Sequence, residues 1–345
     1  MQCVALKPVN GLLLLMKNWL LITGIVRGKF CGLPKGKKAI KRRCVFKRKC
    51  KADGTVEKRK ARLVAKDYLQ KAGIDYEKTF APTLSYSSIR LLLALAVQKD
   101  FDVNQMNVVT AFLNPSLKEK IYMKLPEGVE GQKPVYCRLN KSIYGLKQAS
   151  MAWYDMLDGT LRNFGMKRLQ NKPCIYHWRK NEKTLIVGIY VDDLIILSND
   201  RPTSKDLKAA LQKQFEMKDF GEVHWCLGMR IVYDKEHKRL SIHQERHIDQ
   251  VLERLGKTDC KVAKTPLDSN QVLSKDMAPK TEDERTEMQK VPYREAVGCL
   301  IYLSQGRCPD ISHAVGVVSR FCDDPGCGTL AEQRRNDVYC EPRHH

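Results

Sequence analysis

The sequence predicts a protein of the α+β class, in which helices and antiparallel hairpins alternate without a βαβ rhythm. Two observations support this class directly. Three short apolar runs, "CIYHWRK", "TLIVGIYV" and "LIILSND", follow one another between Cys174 and Asp200 and predict successive strands. The segments around such runs have helical periodicity or helix caps, and no glycine-rich phosphate loop occurs.

The charge of the chain is high and concentrated. The 345 residues have a formal net charge of +22 and an apolar fraction of 43%, which is enough to bury a core. Residues 27–66 contain 17 Lys and Arg against only Asp53 and Glu57, a net +15. Such an excess favours a polyanionic partner, with nucleic acid first, over an ordinary basic protein without a specific partner.

The first predicted element is a basic hairpin at residues 31–66. Apolar residues on either side of "ADG" (Ala52 to Gly54) predict two strands joined by a turn. Ser87–Asp100 is rich in helix formers and predicts a buried helix. Phe101–Leu113 begins as a strand and continues in a helix-like pattern. Gly145 precedes a long helix whose apolar residues recur at four-residue spacing, namely Trp153, Leu157 and Leu161.

The second half of the chain continues the alternation. The pattern predicts a capped helix at Ser204–Met217, a hairpin at His224–Gln244 and a helix that ends at glycine at Glu245–Gly256. A polar linker is predicted at residues 265–290, and a pair of helices at Tyr293–Gln305 and Asp310–Cys322.

Two adjacent carboxylates interrupt the apolar runs in "VGIYVDDLIILSND". A hairpin with Asp192 and Asp193 as its turn would bring both to the rim of a sheet, although Asp is also common in simple turns. Adjacent carboxylates repel each other unless a cation lies between them, and hard divalent cations prefer oxygen ligands. We therefore favour a metal site for phosphoryl or nucleotidyl transfer over a simple turn.

A family resemblance follows from these residues and others. "YVDD" between apolar strands resembles the active-site hairpin of reverse transcriptases. "KARLVAKDYLQKAGIDYEKTFAPT", "TAFLN", "SIYGLKQA", "FEMKDFGEVHWCLGMRI" and "YREAVGCLIYL" resemble, in the same order, the polymerase of copia-type long-terminal-repeat retrotransposons. The resemblance extends from about Leu33 to Phe321.

The resemblance implies a right-hand polymerase with fingers and palm around an antiparallel sheet and a partial thumb and connection. Because the resemblance stops past Pro325, we expect no ribonuclease H domain in this sequence. It implies Mg²⁺ or Mn²⁺ as cofactor, held by Asp192 and Asp193, and it implies a primer–template of RNA or DNA and deoxynucleoside triphosphates as partners. The residues that it implies at the nucleotide are Lys60, Arg62, Lys66, Gln148 and Tyr190. For each of these a backbone contact or a packing role is the alternative, and for Lys60, Arg62 and Lys66 a solvated side chain is another.

One departure from the family pattern affects the chemistry. The segment "QMNVVTAFLN" has Asn107 where the resemblance implies the first metal-binding aspartate. An amide offers a neutral oxygen but no negative charge, so two carboxylates remain where three are expected. Asp102 lies five residues away, an odd offset that places it on the opposite face of a strand. Asp67, Ser150 and Met151 also depart from the family pattern.

The predicted organisation has five parts. They are a divergent N-terminal segment (residues 1–30), fingers and palm with the start of a thumb (31–264), a polar linker (265–290), a helical connection (291–325) and an unrelated tail (326–345). We expect residues 1–30 and 326–345 to be poorly packed. Thirteen scattered cysteines without CxxC pairs favour reduced thiols and an intracellular protein, cytoplasmic or nuclear. The apolar stretch Gly11–Val26 is broken by Lys17 and Asn18, so we expect no membrane association.

Three functions remain open at this point. The first is an RNA-directed DNA polymerase, impaired by Asn107. The second is a catalytically inactive nucleic-acid-binding remnant of a retrotransposon. The third, a nucleotidyl cyclase on a similar palm, is disfavoured by the "YGLKQA" and "FEMKDFGE" segments.

Overall fold

The computed structural model describes residues 30–50, 55–124, 136–256, 263, 265–268, 272–326 and 328–330. The predicted turn at Ala52–Gly54 and the N-terminal segment before residue 30 lie outside this part of the chain. The described residues form a mixed α and β structure with several sheets, which agrees with the predicted class.

The strands are, in chain order, β1 (Phe30–Cys31), β2 (Ala39–Ile40), β3 (Arg42–Cys50), β4 (Val56–Ala65), β5 (Asp102–Val108), β6 (Ser116–Lys124), β7 (Tyr136–Lys141), β8 (Lys167–Arg168), β9 (Ile175–Lys180), β10 (Lys183–Tyr190), β11 (Asp193–Ser198), β12 (Met217–Glu222), β13 (Trp225–Cys226), β14 (Met229–Asp234) and β15 (Arg239–His243). The α-helices are α1 (Tyr86–Lys99), α2 (Ala149–Asn163), α3 (Arg201–Gln214), α4 (Glu245–Leu255), α5 (Glu282–Gln289), α6 (Tyr293–Gly306) and α7 (Ser312–Ser319).

The chain divides into two compact units. Unit 1 contains residues 1–84 and 102–221, and unit 2 contains residues 85–101 and 222–345. Helix α1 therefore belongs to unit 2, although both segments that flank it belong to unit 1. The predicted fingers-and-palm range of 31–264 extends over both units.

Unit 1 is built on a six-stranded sheet in the order β12-β5-β11-β10-β9-β8. Strands β9, β10 and β11 are the three apolar runs, paired antiparallel as predicted. Helix α2 contributes Trp153, Leu157 and Leu161 to a core shared with these strands, so its predicted apolar spacing is confirmed. The sheet places the end of β10, the start of β11 and the end of β5 side by side.

Two further sheets complete unit 1. Strands β3 and β4 form a two-stranded antiparallel sheet, which confirms the basic hairpin. A four-stranded sheet in the order β1-β7-β6-β2 packs its own core around Ile121, Met123 and Leu139. Between β5 and β6 the chain makes a short 3-10 turn at Ala111–Leu113, the helix-like continuation that the sequence predicted.

Unit 2 combines helices with a three-stranded sheet in the order β13-β14-β15. The predicted hairpin at His224–Gln244 is formed by β14 and β15. Helix α1 follows the N-cap Ser85 and begins at Tyr86, one residue before the predicted start. Its exposed Leu91 shows that only one side of the helix is buried. Helix α4 ends at Gly256, which has a left-handed conformation.

Two segments of unit 2 are more ordered than the sequence predicted. Helix α5 lies within the predicted linker and begins with a capping box between Thr281 and Glu284. Leu330 is buried against Met288, Tyr293 and Val318, so the expectation of poor packing is wrong for the start of the tail. Residues 331–345 lie outside the described chain. None of the described helices is long and apolar enough to cross a membrane.

Candidate active site

The paired aspartates lie where β10 turns into β11. Tyr190 pairs with Asp193, so Val191 and Asp192 form the turn and Asp193 is the first residue of β11. The prediction that Asp192 and Asp193 together form the turn is therefore wrong by one residue. Both carboxylates are half-buried at the rim of the six-stranded sheet.

The turn is strained and is held by two hydrogen bonds. Val191 has a φ of 56°, a left-handed conformation that β-branched residues rarely adopt. The indole Nε1 of Trp153 donates to the carbonyl oxygen of Val191 at 2.7 Å. The backbone N–H of Val108 donates to the carbonyl oxygen of Asp192 at 2.8 Å. Helix α2 and the end of β5 thus fix the peptide groups that carry the carboxylates.

Asn107 lies directly opposite Asp193 in the register of β5 and β11. Its Nδ2 donates to Oδ1 of Asp193 at 3.0 Å. Gln105, two residues earlier on the same strand, donates more weakly to the same oxygen at 3.5 Å. Two amides thus approach one oxygen of Asp193, at the position where the resemblance implies a third carboxylate.

The protonation of Asp193 reflects this environment. Burial raises the pKa of the Asp193 carboxyl above its ordinary value, and the neighbouring charge of Asp192 acts in the same direction. The hydrogen bonds from Asn107 and Gln105 lower the pKa and partly oppose these effects. Partial burial beside a like charge is an unfavourable setting for a carboxylate that has no cation nearby.

The donor set is short of charge for a pair of metal ions. Asp192 and Asp193 supply two carboxylates, and Asn107 supplies a neutral amide, which fits one divalent cation better than two. Within the described ranges, no group of three or more His, Cys, Asp or Glu could hold a metal ion. Asp102 does not replace the missing charge, because it pairs with Ser198 at the far end of β11 and bonds to Arg201 at 3.0 Å.

The basic residues predicted at the nucleotide lie on and after β4. The guanidinium Cζ of Arg62 lies 5.3 Å from the centre of the Tyr144 ring. Lys66 follows the strand, and its backbone N–H donates to the carbonyl oxygen of Lys41 at 2.9 Å. The backbone of Lys60 pairs with Lys47 in the hairpin, but the side chain of Lys60 lies outside the described residues.

Gln148 is part of a buried amide network. Its Nε2 donates to the carbonyl oxygen of Asp75 at 2.8 Å, and its Oε1 accepts from Nε2 of Gln70 at 3.0 Å. Gln70 in turn accepts from the backbone N–H of Lys147 at 2.8 Å. These contacts give Gln148 a clear packing role, and its contact with a nucleotide stays a prediction. Tyr190 is half-buried at the end of β10, opposite Asp193.

Sequence reasoning missed three residues of this site. Gln105 could have been found, since residues two apart on a strand share a face and Asn107 was already singled out. Trp153 was assigned to a helical core, and nothing in its spacing indicates a hydrogen bond to residue 191. Tyr144 belongs to the "SIYGLKQA" segment, but its contact with Arg62 depends on tertiary structure.

Comparison with known proteins places these features in one family. Residues 29–269 match the family described as reverse transcriptase (RNA-dependent DNA polymerase). The retrovirus-related Pol polyprotein from transposon TNT 1-94 of Nicotiana tabacum is 44% identical over 301 residues, which are 86% of this chain and 23% of that protein. The corresponding polyprotein from transposon RE1 of Arabidopsis thaliana is 36% identical over 289 residues, which are 82% of this chain and 19% of that protein.

A yeast transposon protein and a solved structure are also similar to this chain, at lower sequence identity. A putative transposon Ty5-1 protein of Saccharomyces cerevisiae is 30% identical over 232 residues, which are 67% of this chain and 73% of that protein. A solved structure of a foamy viral protease–reverse transcriptase in complex with double-stranded DNA has 10% sequence identity and a TM-score of 0.38, and it covers 92% of this chain and 45% of that one.

This chain spans less than a quarter of the two plant polyproteins, so the similarity concerns one part of them. The family match covers most of the chain and includes Asp192, Asp193 and Asn107. With the plant transposon relatives, this match shows that the chain belongs to the reverse transcriptase family and is similar to the Pol polyproteins of copia-type retrotransposons.

Proposed function

We propose that this chain is the fingers and palm of a retrotransposon reverse transcriptase that binds primer–template and deoxynucleoside triphosphates but transfers nucleotides very slowly. In this proposal β3 and β4 are the fingers hairpin, and the six-stranded sheet is the palm. The observation that carries the proposal is the position of Asn107, which is opposite Asp193 and donates to its Oδ1 at 3.0 Å.

The metal chemistry follows from the donor set. A bound Mg²⁺ or Mn²⁺ would neutralise charge on the transferred phosphate and activate the primer hydroxyl. Asp192 and Asp193 are the residues that would hold it, with Trp153 and Val108 fixing the turn through its two carbonyl oxygens. Asn107 adds no charge and competes as a donor for one oxygen of Asp193, so we expect weak metal binding at this position.

Nucleic-acid binding is supported by the basic hairpin. The register of β3 and β4 pairs Lys47 with Lys60, Arg48 with Arg59 and Lys49 with Lys58. Lys47 and Arg48 are exposed on β3, and residues 27–66 have a net charge of +15, so this hairpin would attract a polyanion. Arg62 and Lys66 lie at the base of the same hairpin, and we assign the triphosphate to them, with Gln148 and Tyr190 as neighbours of the nucleotide.

Primer extension with a small set of variants tests the catalytic part. We expect little Mg²⁺-dependent incorporation by the wild type and an increase on the order of 10³ or more in Asn107→Asp, because several kcal/mol of transition-state stabilisation would be restored. Adding Asp192→Asn to that variant should abolish the gain. Asn104→Asp is the matched control, since Asn104 lies on the same strand but bonds to Lys208 rather than to the aspartates.

A second candidate function is a catalytically inactive nucleic-acid-binding protein. It is favoured by the basic hairpin, which does not depend on the metal site. In that case Asn107→Asp would bind primer–template like the wild type and would still not extend it. Robust extension by the unmutated chain, lost in Asp192→Asn, would contradict both the impaired and the inactive assignment.

A further inference from the structure

The ring of Tyr144 contacts side chains from two other segments of unit 1. The guanidinium of Arg62, on β4, lies over its face at 5.3 Å from the ring centre. Phe112, in the 3-10 turn after β5, packs edge-to-face against the same ring, with 5.5 Å between ring centres and an interplanar angle of 70°. The ring thus lies between a residue of the basic hairpin and the segment that follows Asn107.

The backbone around Tyr144 is fixed to the strand that carries Arg62. The N–H of Ala65 donates to the carbonyl oxygen of Tyr144 at 2.8 Å, and Val64 and Tyr144 form a parallel bridge. At the next residue, Gly145, a Cβ would lie 2.3 Å from the carbonyl oxygen of Ala65. This close approach leaves the backbone at Tyr144 little freedom to move relative to β4.

We propose that Tyr144 is a positioning residue that holds the Arg62 guanidinium ready for the triphosphate of an incoming nucleotide. The inference rests on the proposed function, in which Arg62 contacts that triphosphate. A free arginine loses rotamer freedom when it binds a phosphate, and an arginine already resting on an aromatic face loses less. The ring also attracts the cation directly, which helps to hold this geometry before the nucleotide arrives.

Nucleotide affinity measured in a double-mutant cycle tests the proposal. The probes are deoxythymidine triphosphate and inorganic tripolyphosphate, titrated calorimetrically into the full chain and its variants. We expect Tyr144→Leu to weaken binding of both probes by about two- to fivefold, the range for an exposed cation–π contact. Tyr144→Phe should bind like the wild type, because phenylalanine retains the aromatic face.

The cycle with Arg62→Ala shows whether Tyr144 acts through Arg62. If it does, Tyr144→Leu should cause no further loss in the Arg62→Ala background. Tyr233→Leu is the matched control, since it breaks a similar pair with Lys235, at 5.7 Å, and neither residue is assigned to the nucleotide. Full additivity, or wild-type affinity in Tyr144→Leu, would overturn the positioning role while leaving the proposed function intact.

An unaltered affinity in Arg62→Ala would instead refute the assignment of Arg62 to the triphosphate. It would therefore also refute the positioning role of Tyr144.

If Tyr144→Leu does not fold, the protons of Arg62 provide a second measurement in the wild type. A guanidinium resting on the ring face should give ring-current-shifted resonances, assigned with Arg62→Ala. Unshifted Arg62 resonances would overturn the proposal without any variant at position 144.

Discussion

At the scale of single residues, the turn before Asp193 depends on a conformation that its sequence disfavours. Val191 has a φ of 56°, and the cost of such a conformation in a β-branched residue must be offset by its surroundings. The indole of Trp153 provides part of that offset, because it is buried and donates to the Val191 carbonyl oxygen. Its ring also packs edge-to-face against Phe215, with 5.0 Å between ring centres.

Trp153→Phe should lower the free energy of unfolding by about 1–3 kcal/mol, because the carbonyl oxygen of Val191 loses its buried donor. Urea denaturation measures this change. The loss should be smaller when Val191→Gly is already present, since glycine adopts positive φ without strain. Trp178→Phe, at a partly buried tryptophan on the same core, is the control for loss of an indole. Equal losses in both backgrounds would contradict a link between Trp153 and the turn.

A second prediction concerns Gly145, which has a φ of 84°. Gly145→Ala should destabilise the protein by on the order of 3 kcal/mol, because the new methyl group would meet Ala65 and the backbone would be strained. Gly159→Ala is the control, since it lies within α2 and a Cβ there meets nothing within 4 Å. That control should be neutral or stabilising by up to about 1 kcal/mol in thermal or urea unfolding. A similar destabilisation by both variants would argue against the close approach at Gly145.

At the scale of elements, the basic hairpin and the helix that follows β11 have separate electrostatic roles. The hairpin concentrates cationic residues in pairs, which favours a polyanion. Helix α3 instead uses a carboxylate at its start: Asp200 accepts from the N–H and the hydroxyl of Thr203, at 3.0 and 2.5 Å, and pairs with Lys183. The cationic hairpin is suited to binding a polyanion, whereas the carboxylate of Asp200 stabilises the start of α3.

Binding of single-stranded RNA or primer–template should therefore depend steeply on salt. We expect affinity to fall on the order of 10³ or more between 50 and 200 mM salt if six or more phosphates are contacted. Lys47→Gln and Arg48→Gln should each reduce the slope of log affinity against log salt by about one. Lys180→Gln, at the exposed end of β9, is the control. Fluorescence anisotropy gives the slopes, and a salt-independent affinity would rule out this mode of binding.

The helix cap predicts a loss of stability in acid. The hydrogen bonds from Thr203, with the contribution of Lys183, lower the pKa of Asp200 from 3.8 to about 2. Because the folded state prefers the ionised form, this stabilisation is present above about pH 4 and is lost as the pH falls towards 2. Asp200→Asn retains a capping side chain without the charge, so its stability deficit relative to the wild type should shrink over this range. Acid unfolding curves of the two proteins measure this change, and a deficit that stays constant down to pH 2 would contradict a role for the charge of Asp200.

The elements nearest the aspartates were also the most predictable ones. The apolar residues around "YVDD" predict a pair of buried strands, and the structure contains this pair as β10 and β11. Which residues form the turn was less predictable, because Asp193 belongs to β11 through its pairing with both Tyr190 and Asn107. The partners of Gln148 lie more than 70 residues away in sequence, and no local pattern indicates such contacts.

At the scale of the whole molecule, packed residues occur further along the chain than the family resemblance extends. The family resemblance ends near Phe321, yet Leu330 is buried in a cluster with Met288, Tyr293 and Val297. The hydroxyl of Thr329 is buried as well and accepts a hydrogen bond from the N–H of Gly326. The prediction of a poorly packed tail relied on the absence of apolar periodicity. A single nonpolar side chain such as Leu330 can be buried without that periodicity.

Limited proteolysis followed by mass spectrometry should test this packing. We expect the resistant fragment to include Leu330 rather than to end near Cys322. Leu330→Asp should move the end back toward residue 322, because burying an unpaired carboxylate is unfavourable. Leu91→Asp, at an exposed position on α1, should leave it unchanged. Early cleavage between residues 322 and 330 in the wild type would contradict the packing of Leu330.

The path of the chain between the two units has a consequence for its synthesis. Helix α1 is synthesised before most of unit 1, but the remainder of unit 2 begins only at residue 222. At roughly 5–20 residues per second, about 6–25 s separate the end of α1 from the synthesis of residue 222. During that interval the nascent chain has none of the later residues of unit 2 to cover Ile89, Leu92 and Leu93, which are buried in the finished protein. Until the later residues of unit 2 have been synthesised, this apolar surface of α1 is available for a chaperone to bind.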